Sequence, residues 1–276
     1  QSGSFKFINN SYLNFSKIKQ KIKGWLMQVS KYNASGNDFV IFHTFLSKVS
    51  KDRSELARQI CSRTNGVGAD GLIVLLPYEK GVKWEFYNSD GSYAAMCGNG
   101  SRAAARYAYL NGLVSSSEFA LLTGSGEVMV SVKDECVEVV LTSPKILSEP
   151  LNENGKTWYF YDTGVPHLVN FTQNLDEFDV KECRALRQKY NANVNLAKFD
   201  GGVLKVRTYE RGVEDETLAC GTGMAACFYG ATLNLNAPHS LKVYPKSGEE
   251  LGLRLENGKI LFSGAVKHCF DTSIEI

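Results

Sequence analysis

Ala94-Ala95-Met96-Cys97-Gly98-Asn99-Gly100-Ser101-Arg102-Ala103-Ala104-Ala105-Arg106 is the stretch whose reading decides the fold, because the chain repeats its pattern as Thr217-Leu218-Ala219-Cys220-Gly221-Thr222-Gly223-Met224-Ala225-Ala226-Cys227. In each copy a cysteine, a glycine, a small polar residue and a second glycine precede strong helix formers, which stop at Asn111-Gly112 or near Asn234. The spacing predicts two helices with a cysteine at each N-terminus. The unpaired N–H groups and the positive end of the macrodipole favour an anion there by about 0.3–2 kcal/mol. That effect alone predicts a thiol pKa lowered from about 8.5 to about 7–8. The same amides, bared by the glycines, suit a substrate carboxylate. A single copy would read as a Gly-rich turn before a tightly packed helix, with cysteine used as a small apolar residue.

The repeat extends outward. Ser125-Gly126-Glu127 leads into alternating Val128, Val130 and Val132, and Ser247-Gly248-Glu249 into alternating Leu251, Leu253 and Leu255, so both read as hairpins. Trp84-Glu85-Phe86-Tyr87-Asn88 matches Val206-Arg207-Thr208-Tyr209-Glu210, and residues 36–42 echo residues 164–171. The chain is two similar halves. Alternation places further strands at residues 119–122, 137–141, 158–162, 167–171, 194–199 and 204–209, with helices at 54–61 and 180–190. Pro144 and Pro150 suggest a linker between the halves. Gly66-Val67-Gly68-Ala69-Asp70-Gly71 feeds a strand at 72–76 rather than a helix, so it is not a dinucleotide fingerprint. Each half joins many short strands to one Ala-rich helix without a broad charged face, and such a helix is buried. The expected fold is α+β: two pseudo-symmetric domains, each a mixed β-sheet or barrel wrapped around a central α-helix, with the two cysteine ends facing across a cleft.

Composition narrows the function. The 276 residues suffice for two ordinary domains, and a net charge of +2 with interspersed signs leaves no footprint for nucleic acid or an acidic membrane. No apolar run reaches the roughly 18–20 residues of a membrane span. Small-molecule chemistry is the default. The seven cysteines form an odd set without Cys-x-x-Cys pairs, which fits a reducing cytoplasm. The four histidines are scattered, so no metal is assigned. Residues 1–26 carry five lysines, no acid and no signal-peptide core, and read as a leader or an extension ahead of Met27.

Together, Gly36-Asn37-Asp38-Phe39, Gly66-Val67-Gly68-Ala69-Asp70-Gly71, Met96-Cys97-Gly98-Asn99-Gly100, Pro166-His167, Glu210-Arg211-Gly212 and Ala219-Cys220-Gly221-Thr222-Gly223 resemble the diaminopimelate epimerase family, racemases that use no pyridoxal phosphate. The resemblance runs from about Met27 to the C-terminus. It implies interconversion of LL- and meso-2,6-diaminopimelate, on the route to lysine and cell-wall peptide, and needs no cofactor. It implies paired barrels with the last strand returning to the first domain, so that residues 27–143 with 266–276 form one domain and 144–265 the other. It leaves a homodimer open.

The resemblance makes Cys97 and Cys220 the opposing acid and base, with His167 and Glu210 beside them. Asn37, Asn88 and Asn193 would line the substrate site, Glu210 and Arg211 would grip its far end, and Gly98, Asn99, Gly221 and Thr222 would supply amides to the reacting carboxylate. The family usually has Gly-Asn-Pro-His where this chain has Gly164-Val165-Pro166-His167. Val165 thus replaces an expected polar contact, which suggests a broader substrate range, with glutamate one candidate. Two thiols suit inversion of an α-carbon, since that reaction needs a base on one face and an acid on the other. A proline-racemase-like enzyme, a thiol redox protein and a non-catalytic binding protein on the same scaffold are the rival readings.

Overall fold

The turn Ser35-Gly36 sets the first register. Both residues have positive φ, 59° and 81°, as a two-residue hairpin turn requires. They join β1 (Leu26–Ala34) to β2 (Asn37–His43) in a computed structural model that describes residues 26–45 and 52–275. The leader read over residues 1–26 lies outside the described residues except for Leu26.

Parallel neighbours need long crossovers, and the helices supply them. β2 runs parallel to β3 (Gly71–Tyr78) across α1 (Arg53–Cys61), whose Leu56, Ala57 and Ile60 pack on Val40, Phe42, Leu72 and Val74. β3 returns as β4 (Gly81–Asn88). β4 then runs parallel to β5 (Glu118–Thr123) across α2 (Gly98–Leu110), and β6 (Gly126–Lys133) and β7 (Cys136–Val140) complete a meander. α2 threads the interior, with Ala103, Ala104, Ala105 and Ala108 all buried.

The second half repeats this order. After β8 (Lys145–Glu153), β9 (Lys156–Asp162) pairs with β10 (Pro166–Phe171), which lies parallel to β11 (Asn193–Asp200) across α3 (Val180–Tyr190). β11 returns as β12 (Val203–Glu210), which carries the short β13 (Asp215–Thr217) and lies parallel to β14 (Ser240–Tyr244) across α4 (Gly221–Asn234). β15 (Leu251–Glu256) and β16 (Lys259–Ala265) close the meander, and β17 (Lys267–Glu275) crosses back to pair with β1 as β8 pairs with β9. The expected α+β pseudo-symmetry is therefore present strand by strand.

β16 pairs antiparallel with β7, Leu261 opposite Val140, and this seam makes one hydrogen-bonded sheet of the two halves. A single apolar core contains Trp84 and the alanines of α2 together with Met224 to Phe228 of α4 and Phe262 of β16. Pro144 lies in the coil at 141–144 that joins the two halves, whereas Pro150, expected in the same linker, falls inside strand β8. Its register slips between Ile146 and Ser148 and again between Ser148 and Leu151, and Pro150, which has no N–H to donate, fits that irregular stretch.

Candidate active site

Cys97 and Cys220 are the N-cap residues of α2 and α4, with extended backbones (φ −154° and −123°). Cys97 Sγ accepts from the Gly100 N–H at 3.4 Å, whereas Cys220 Sγ makes no cap bond and lies 3.5 Å from Thr222 Oγ1. Phe262 brings the two helix starts together. A Cβ at Gly98 would lie 3.6 Å from its ring and one at Gly221 3.4 Å, so both first helical residues rest on the same side chain. The second glycine of each motif lets the helix seat on its sheet. A Cβ at Gly100 would lie 3.3 Å from Trp84, and one at Gly223 only 2.5 Å from Asn195 Oδ1.

The environment of the thiols differs from the sequence expectation. Burial pushes both Cys97 and Cys220 up, not down, and the Glu210 carboxylate adds to the rise at each. The helix amides at Gly100 and Asn99, and at Gly223 with the Thr222 hydroxyl, act in the expected direction but are outweighed. Removal of a thiolate from water costs more than one helix terminus returns. Glu210 is itself pushed up by burial, opposed by the neighbouring Thr217 hydroxyl and Cys220 thiol. Cys220 and Glu210 are thus two acids crowded into one buried place, where ionisation of one opposes ionisation of the other.

Beside the N-terminus of α4, where Asn195 lies against Gly223, polar groups gather around His167. His167 is fully buried, with Asn195 Nδ2 at 3.1 Å from Nδ1 and Asn193 Nδ2 at 3.3 Å from Nε2. Asn195 Oδ1 accepts from the Thr208 hydroxyl and Asn193 Oδ1 from the Arg211 N–H. Burial pulls the His167 pKa down from 6.5 to about 3, so the ring is neutral at working pH and acts through hydrogen bonds rather than charge. The unfolded chain binds a proton at this ring between those two values and the folded chain does not, so stability falls as pH drops from 6.5 towards 3. Unfolding free energies from urea titrations are expected to decline more gently on acidification in His167→Gln than in the parent, by up to about 1.4 kcal/mol per pH unit below pH 6. Parallel declines would contradict this.

The remaining candidates divide. Asn37 Oδ1 lies 3.9 Å from Cys97 Sγ. Asn99 Oδ1 accepts from Arg102, and the Thr222 carbonyl accepts from the Thr163 hydroxyl, so both helix starts are braced. Asn88 turns its amide into its own loop, donating to Ser92 Oγ, and the Arg211 guanidinium bonds the Asn191 carbonyl. Val165 is half-buried and its carbonyl accepts from the Thr163 N–H. Sequence reasoning passed over Arg102, Asp70, Asn195 and Phe262. Arg102 and Asp70 stand inside the quoted motifs, and Asn195 shares a strand face with Asn193 two residues away. Among the described residues no group of three His, Cys, Asp or Glu is placed to hold a metal, and no helix is long and apolar enough to cross a membrane.

Two pseudo-symmetric halves of mixed sheet, each with a central helix capped by a cysteine, define an epimerase-like α+β fold. A phenazine biosynthesis protein of the PhzF family from Bacillus anthracis shares it with a TM-score of 0.69 at 15% identity, over 91% of this chain and 100% of that one. A hydroxyproline epimerase from Agrobacterium vitis, solved with bound trans-4-hydroxy-L-proline, gives 0.65 at 13% identity over 92% and 94% of the two chains. The family model for diaminopimelate epimerase matches residues 29–147. The diaminopimelate epimerases of Nitratiruptor sp. and Campylobacter jejuni are 58% and 55% identical to this chain, over 89% and 90% of it and 98% of each relative. The chain belongs to the diaminopimelate epimerase family.

Proposed function

We propose that this chain is an isomerase that interconverts LL- and meso-2,6-diaminopimelate in the cytoplasm, with Cys97 and Cys220 as the two acid–base groups. The observation that carries the reading is the pair of cysteine-capped helix starts resting on one Phe262 ring, in a chain of this family. The substrate's reacting carboxylate would lie against the amides of Gly98, Asn99, Gly221 and Thr222, where the helix termini offset the charge that grows as the α-proton leaves. One thiolate takes that proton while the thiol opposite delivers another to the far face, and the roles exchange in the reverse direction.

Glu210 biases which group holds the proton at Cys220, and neutral His167 fixes the surrounding amides. Asn37, Asn88 and Asn193 line the substrate, with Glu210 and Arg211 at its distal end. Residues 27–143 with 266–276, and 144–265, act as two domains whose closure excludes water. Proton NMR of α-hydrogen exchange in heavy water, with reduced protein and no added cofactor, tests the reading on LL-diaminopimelate and L-glutamate in parallel. Exchange with inversion of diaminopimelate is expected, and its absence overturns the reading. Val165, apolar where the family carries an amide, favours some exchange of glutamate as well, and a Val165→Asn variant is expected to reduce it.

A further inference from the structure

We propose that Asp70 is a positioning residue for Cys97, locking the Asn37 amide with its oxygen toward the sulfur; this rests on the reading of Cys97 as an acid–base thiol. Asn37 Nδ2 lies 2.7 Å from Asp70 Oδ2. A carboxylate only accepts hydrogen bonds, so the amide must turn its NH2 group to Asp70. That leaves Asn37 Oδ1 facing Cys97 Sγ at 3.9 Å, as an acceptor for the S–H.

Asp70, though partly exposed, is itself held by several partners. Its Oδ2 accepts from the Asp38 N–H at 3.1 Å and its Oδ1 from Arg63 at 2.8 Å, while its own N–H donates to Asp38 Oδ1 at 2.9 Å. Arg63 and Lys31 bridge Asp38 in turn and, against the effect of burial, hold its carboxyl well below the usual range. The Asp70 carbonyl accepts from the Ser89 N–H, which ties the Asn88 loop to the same point.

The second half has no such device. Phe39 opposite Gly71 corresponds to His167 opposite Asn193, so Val165 and Ala192 stand where the first half has Asn37 and Asp70. By the same register Glu210 stands where the first half has Asn88. One thiol therefore faces a locked amide oxygen, which favours its protonated form, and the other faces a carboxyl. A flipped Asn37 would instead offer an N–H to Cys97 and favour the thiolate.

The pH profile of iodoacetamide modification at Cys97, read by peptide mass spectrometry across about pH 6–10, tests the lock. The other titratable or charged groups facing Cys97 are Glu210 from β12, Arg102 from its own helix and Cys220 from α4, and all stay unchanged. Asp70→Asn, which lets the Asn37 amide take either orientation, is expected to move the profile down by at least about half a unit and to lower kcat more than it raises KM. Because the substitution also removes a negative charge, it is repeated in an Asn37→Ala background. Most of the shift disappears there if Asp70 acts through Asn37 and persists if it acts by charge alone, which would overturn the proposal. Asn37→Ala by itself leaves Asp70 and Arg63 paired, and it too must move the profile down. An unmoved profile in either single variant overturns the proposal. Retention of inversion by Cys97→Ala would instead remove the reading of Cys97 on which it rests.

Discussion

Cys97→Ala and Cys220→Ala are each expected to lower the rate of inversion by at least about a thousandfold, since general acid–base groups contribute about 10²–10⁴ and neither face has a second one. The losses differ in kind. Whichever thiol remains can still remove the α-proton that faces it and return a solvent deuteron to the same side. Exchange without inversion is therefore expected for one stereoisomer in one variant and for the other stereoisomer in the other. The stability changes differ as well. Cys97 Sγ satisfies the Gly100 N–H, so its loss is expected to destabilise by about 1 kcal/mol, whereas Cys220 makes no cap bond and its loss should change less. NMR in heavy water and thermal melts read both effects, and inversion that survives in either variant contradicts the two-thiol mechanism.

Arg102→Met is expected to separate activity from stability. The Arg102 guanidinium is fully buried beside Cys97, and among the described residues it has no carboxylate within salt-bridge distance. Its partners are Ser35 Oγ at 2.6 Å, Asn99 Oδ1 at 2.8 Å, the Ala265 carbonyl at 3.3 Å and the Phe262 ring at 4.6 Å, and its Nε has none. Burial pulls its pKa down from 12.5 to about 10, a measure of how poorly the fold compensates the charge. Replacement of such a cation by an apolar chain of similar length is often neutral or stabilising, offset here by partners lost to Ser35 and Asn99. The melting temperature should therefore stay within a few degrees. Under the proposed mechanism the same positive charge stands beside the thiol and carboxylate that gain charge, so kcat/KM is expected to fall by on the order of a hundredfold. A variant that melts early and turns over normally would make Arg102 a structural residue.

Much of this was legible because duplication is a pattern in the sequence itself. Cys97 and Cys220 announce helix starts through the glycines that follow them, and residues 36–42 against 164–171 announce a repeated strand. The structure then places Phe39 and His167 at matching register positions. What stayed hidden depends on distance in space. The direction of the thiol shifts could not be read, because helix position is local whereas burial and Glu210 arrive from other strands. Pro144 does mark the connecting coil, but Pro150 does not, because proline signals a break locally while an irregular strand beside β9 tolerates it. Nothing local marks what holds the Arg102 charge inside a buried helix, because Phe262 and Ala265, which contact it, lie some 160 residues on.

The pairing of β1 with β17, Met27 opposite Ile274, also sets a timetable for synthesis. When the ribosome has released β1 to β7, both outer strands of the first half lack a partner on one edge: β7 waits for β16 and β1 for β17, both of which come late in the second half. Contacts so far apart in sequence form slowly, and an open edge is a template for mispairing. The nascent first half is thus the interval in which mispairing is most exposed, and the two helix starts can meet on Phe262 only once β16 has paired with β7.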